Sequence, residues 1–108
     1  MRVMSYRVGE VVEEIEIDNT LEALQEYVDG YIEVLPLGDT EFLCICNEEG
    51  KNLRLAPNRE ILHHGKIQDI IFGDFLVCKS CEDEFVGLTD DDIENLNNSG
   101  VIGGDADD

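Results

Sequence analysis

Four cysteines spaced as Cys44-x-Cys46 and Cys78-x-x-Cys81 are the residues with the most obvious chemistry in the 108-residue chain. If the two segments were neighbours, four thiolates would make a tetrahedral zinc site. Cys44 and Cys46, however, alternate inside the apolar run Phe42 to Asn47, Cys78 closes a second apolar run, and only Cys81 lies among charges. In such runs free cysteine behaves as a small buried hydrophobe. The pattern therefore favours buried thiols, with Cys44, Cys46, Cys78 and Cys81 as the weaker zinc alternative, and no cofactor is expected. His63 and His64 are adjacent, and neighbours on a strand point to opposite faces. The two are thus expected as surface or turn histidines rather than as two ligands of one ion.

The carboxylates are the abnormal feature. Against 7 basic residues stand 26 acidic ones, a formal net charge of −19. Such a charge repels phosphate, because nucleic-acid binding is driven by Lys and Arg releasing counterions, so neither DNA, RNA nor anionic membrane is an expected partner. A basic protein surface is. Evenly spread over the ~6,000 Å² surface of a domain this size, the charge is about three-fold more dilute than on B-DNA, so imitation of DNA requires clustering. The clusters are Glu13, Glu14, Glu16 and Asp18, then Glu22 and Glu26, and near the C-terminal end Asp90, Asp91, Asp92 and Glu94. Like charges at helical spacing cost a few tenths of a kcal/mol per pair, a cost that argues for a use, although a merely solvated face fits the composition equally well.

The leading expectation is a non-enzymatic protein that presents these acids to the basic, DNA-binding surface of a partner, as a DNA-mimic inhibitor does. The alternative is an adaptor or ligand-binding module in which Asn58 and Arg59 make the contact and the acids serve solubility. No Gly-rich phosphate loop, nucleophile elbow or calcium loop supports catalysis.

These residues need elements to hold them. Arg2 to Val8 and Glu14 to Asp18 read as strands, the second alternating strictly. Leu21, Leu24 and Val28 recur at helical spacing after an Asn19/Glu22 cap-like pair, which predicts a helix over Thr20 to Asp29. Tyr31 to Leu35 and Phe42 to Asn47 read as a hairpin, and Lys51 to Leu55 as a further short strand broken by Ala56-Pro57-Asn58. Ile70 to Cys78 is a core strand or strand pair, and Thr89 with Asp92 makes a capping box for a second helix.

The expected fold is α+β, a small, mostly antiparallel sheet of about five to six strands with two short helices packed on it. Residues 1–98 form one acidic domain and 99–108 a flexible acidic tail. No apolar run approaches the ~20 residues that span a bilayer, and the expected location is cytoplasmic. Charge is uneven: residues 80 to 108 carry −10, whereas 51 to 66 hold Lys51, Arg54, Arg59 and Lys66 against Glu60 alone.

Several segments together resemble a family of small proteins carried by phages, plasmids and bacteria and known only as a domain of unknown function (family number 3846). They are Ile17 to Gln25, Gly30 to Val34, Cys46 to Gly50, Pro57 to Arg59, Ile70 to Val77 and Leu88 to Asp92. The resemblance implies no activity, cofactor or catalytic residue. By analogy with small acidic proteins of mobile elements, it implies a host-defence or other DNA-binding protein as the partner.

Overall fold

In the computed structural model, which describes residues 1–105, the strands are β1 (Arg2–Tyr6), β2 (Glu13–Glu16), β3 (Ile32–Pro36), β4 (Phe42–Asn47), β5 (Pro57–His63), β6 (Lys66–Phe72), β7 (Phe75–Cys81), β8 (Glu84–Val86) and β9 (Ile102–Asp105). Helix α1 (Leu21–Val28) lies between β2 and β3, and α2 (Asp90–Ser99) between β8 and β9. The fold is α+β and its strand pairs are antiparallel, but there are two sheets. One runs β2-β1-β7-β4-β3, with β8 added against β7, and the other runs β6-β5-β9.

The division is made at Gly73. The apolar stretch Ile70 to Cys78 is a strand pair whose halves belong to different sheets, β6 to the second and β7 to the first. Gly73 turns the corner at φ +84°, where any side chain would also collide with Leu55 Cδ1. The first sheet is consequently covered on both faces. Val3, Ile45, Leu76 and Cys78 point to α1, packing with Leu24, while Met4, Tyr6, Cys44, Phe75 and Val77 point the other way and pack with Ile61 and Ile71 of the second sheet and Leu96 of α2. This replaces the expected single sheet with both helices packed on it.

The other corrections are local. Lys51 to Leu55 is not a strand but a succession of turns closed by Leu53 N donating to Glu49 O and Leu55 N to Gly50 O. Pro57 does not break the chain; it opens β5, where a missing N–H is tolerated at the first position of a strand. Thr20, not Asn19, caps α1, its hydroxyl accepting from Ala23 N–H at 3.1 Å, while Asn19 donates to Phe85 O. The tail expected to be flexible from residue 99 carries a buried Val101, and its next four residues form β9 against β5. Residues 106–108 of that expectation lie outside the described residues.

Candidate functional site

The acids of β2 stand on the edge of the first sheet. Register places Glu14 opposite Met4 and Glu16 opposite Arg2, whereas Glu13 stands opposite Ser5, so alternation divides them between the two faces of the strand. They therefore do not form one row. Charged side chains on an edge strand also prevent it from pairing with another chain. Glu14 is partly neutralised: Arg2 bridges it to Asp90 of α2, and the two hydrogen bonds hold the guanidinium above its ordinary pKa.

Beyond the edge, Glu16, Asp18 and Glu26 line an open concavity together with Arg7 and Tyr27. Arg7 is turned to Asp74, at 3.0 Å, and lies over the Tyr27 ring. Among the described residues, no cation lies within ion-pair distance of Glu13, Asp18, Glu22, Glu26, Asp91 or Glu94, and all six are exposed. Asp92, by contrast, is buried, and it belongs to the packing rather than to the acidic surface. It completes the capping box with Thr89 and holds the Lys79 ammonium.

The alternative contact loses one of its two residues. Asn58 is fully buried, its Nδ2 donating to Tyr6 O at 2.7 Å and Gly73 O at 2.9 Å, so it ties β5 to β1 of the first sheet and to the corner between β6 and β7, and touches no solvent. Arg59 donates to Asn58 Oδ1 and to Glu10 O, with its guanidinium carbon 5.8 Å from the centre of the Tyr6 ring. Burial pushes the Tyr6 hydroxyl up to about 12. This is a structural arginine reaching back over its own domain.

The four thiols do not converge. Cys44 faces the inter-sheet core and Cys78 the α1 side of the same sheet, while Cys81 is exposed at the end of β7. Cys44 and Cys46 share one face of one strand and are in contact, among the described residues no three of the thiols come close enough to share one ion, and burial pushes the Cys78 thiol up to about 12. The expected histidine geometry is also corrected. His63 ends β5, but His64 enters the hairpin turn at φ +52°, which swings its ring beside that of His63, centroids 4.1 Å apart. Both Nε2 atoms lie within about 4 Å of Asp39 Oδ2. Sequence reasoning overlooked Asp39, which no spacing signal could have supplied; His64-Gly65, two residues suited to a tight hairpin turn, signalled only the turn that holds the histidines.

Among the described residues, no helix is long and apolar enough to cross a membrane. No curated protein and no solved structure matches the chain. A family model does, over residues 1–99, described as Domain of unknown function (DUF3846).

Proposed function

The chain belongs to the family described as Domain of unknown function (DUF3846), a membership that names no activity, and we propose that it acts without catalysis, by laying an acidic surface on the basic, DNA-binding surface of a partner protein. The observation that carries this reading is the segregation of charge by the fold. Helix α1, with Glu22 and Glu26, covers the face of the first sheet turned away from the second sheet. The second sheet and the turn before it hold four of the seven bases, Lys51, Arg54, Arg59 and Lys66. Over an accessible surface of 6460 Å² the mean density is low, roughly one net charge per 340 Å², so a surface resembling a phosphate backbone exists only where the acids gather and the bases are absent. Asp18, Glu22 and Glu26, contributed by the connection after β2 and by α1, have no cation within ion-pair distance among the described residues; Glu16 beside them faces the N-terminal ammonium at 3.6 Å, and Arg7, which lines the same concavity, is turned to Asp74. An interface built on them gains on-rate and specificity from complementary potential and weakens with salt.

The test is capture of DNA-binding proteins on the immobilised chain at low and high salt, beside a variant carrying Glu16→Gln, Asp18→Asn, Glu22→Gln and Glu26→Gln, followed by competition with duplex DNA. A partner released by salt, lost in the variant and displaced by DNA supports the reading. Retention that ignores both the substitutions and the DNA overturns it.

A further inference from the structure

Three turns meet at one end of the molecule: Gly38 to Thr40 between β3 and β4, His63 to Gly65 between β5 and β6, and Ser99 to Val101 after α2. We infer that this meeting point is a binding site for a divalent transition-metal ion of the zinc type, held by Asp39, His63 and His64. Two imidazoles and one carboxylate are a zinc-binding set, and three protein ligands leave one position of a tetrahedral ion to water.

The geometry is close to that of a loaded site. The ligand atoms of the three side chains all lie within 4.8 Å of one another, with His63 Nε2 4.0 Å and His64 Nε2 3.9 Å from Asp39 Oδ2. Two ligands each ~2.0–2.1 Å from a tetrahedral zinc stand about 3.4 Å apart. The carboxylate therefore has to close on each imidazole by only about half an ångström. The side chains are free to do so, since Asp39 and His64 are 83 % and 78 % exposed and His63 39 %.

Their backbones, in contrast, are fixed. Leu37, fully buried, anchors the first turn through Leu37 N to Phe42 O, and Thr40 Oγ1 donates to Leu37 O at 2.6 Å. A side-chain carbon at position 38 would lie 3.3 Å from His63 Nδ1, so the glycine there leaves room for the ring, whose Nε2 is the nitrogen turned to Asp39. Leu62 N donates to Val101 O at 2.7 Å, joining the second turn to the third. That third turn is the C-terminal end of α2, capped by Gly100, and the partial negative charge of a helix C-terminus favours a cation beside it. The arrangement thus pre-pays the ordering of the chain that an ion would otherwise have to impose.

The test is zinc titration of the intact chain in excess magnesium, which occupies the scattered surface carboxylates, followed by calorimetry and by the histidine ring signals in NMR. His63→Gln and His64→Asn each remove one ligand, and asparagine suits the positive φ of position 64, so the second variant stays folded. The expected result is one zinc per chain, both rings perturbed, an unfolding midpoint raised by the ion, and affinity at least ~10-fold weaker in either variant but unchanged in Cys81→Ser. Absence of binding in magnesium, equal affinity in the histidine variants, or a sulfur-to-metal charge-transfer band with cobalt(II) that vanishes in Cys81→Ser would overturn it. None of these outcomes bears on the acidic surface of β2 and α1, whose residues are not among the ligands.

Discussion

Lys79 Nζ donates to Asp92 Oδ1 at 2.9 Å while Asp92 Oδ2 accepts from the Thr89 backbone N–H at 2.8 Å, so one carboxylate joins β7 to the first turn of α2. Of the four acids in the first half of that helix, Asp90, Asp91, Asp92 and Glu94, this is the one turned inward. Asp92→Ala removes the cap partner and leaves the half-buried Lys79, among the described residues, with only Glu41, 4.0 Å away. The expected loss is about 1–3 kcal/mol, read by urea unfolding, against a change within ~0.5 kcal/mol for Asp91→Ala.

The same pair sets a pH dependence. Burial pushes the Asp92 carboxyl up, but the Thr89 backbone N–H, the Lys79 ammonium and the Thr89 hydroxyl together hold it below the ordinary carboxylate range. A carboxyl depressed in the folded state contributes stability above its unfolded pKa and loses it as pH falls through the folded one. Acid unfolding profiles of the native chain and Asp92→Asn are therefore expected to converge as pH drops below about 4 and to lie furthest apart near neutrality. Parallel profiles would contradict this.

Asn58 is the strongest single point of the second sheet. Asn58→Ala leaves Tyr6 O and Gly73 O without their buried donor and takes one acceptor from Arg59. With each buried polar group left unpaired costing ~1–3 kcal/mol, the variant is expected to lose at least about 2 kcal/mol. Hydrogen exchange should show β5 and β9 opening first.

These two residues mark what the sequence discloses and what it hides. Helix α1, the β3–β4 hairpin and the α2 capping box are written locally, in the spacing of Leu24 and Val28, in alternation, and in Thr89 with Asp92. The second sheet is not. Strand β5 starts on Pro57, buries only Asn58 and Ile61, and slips register between Pro57 and Arg59 and again between Ile61 and Leu62. Each slip shifts the two-residue period by one, so the alternation that identifies a strand is erased. The inward turn of Asp92 was equally hidden, because a capping residue and a solvated acid have the same side chain. Asp39 meets His63 and His64 only through turn packing over 24 residues of sequence, which no spacing rule reports.

Thiol reactivity follows burial. Cys81 is exposed, Cys78 is buried with its thiol pushed up to about 12, and Cys44 is pushed well above its ordinary value by its contact with Cys46 and by burial. Alkylation at neutral pH without denaturant is expected to show one fast thiol, abolished in Cys81→Ser. Cys46, lowered by its contact with Cys44 yet itself buried, is the thiol expected to follow.

Two uses are proposed for the carboxylates of β2 and α1, and charge removal distinguishes them. Glu13, Glu14 and Glu16 lie on the edge strand of the first sheet, where unpaired backbone groups invite another chain and charge repels it. Glu22 and Glu26 lie on a helix, which offers no such edge. Replacing the three strand acids by threonine keeps strand propensity while removing the charge. That variant is expected to associate with rising concentration, measured by light scattering, and more so in high salt, where the remaining charges are screened. Glu22→Gln with Glu26→Gln is expected to leave the chain's association state unchanged and to leave or slightly raise its stability, because a like-charge pair at i, i+4 is relieved. If neither variant changes its association state while only the helix variant loses a basic partner, the strand acids have neither use and the acidic surface is confined to α1. If the strand variant associates and the helix variant loses the partner, the two groups of carboxylates divide the work, the edge keeping the chain apart from its copies and the helix meeting the partner.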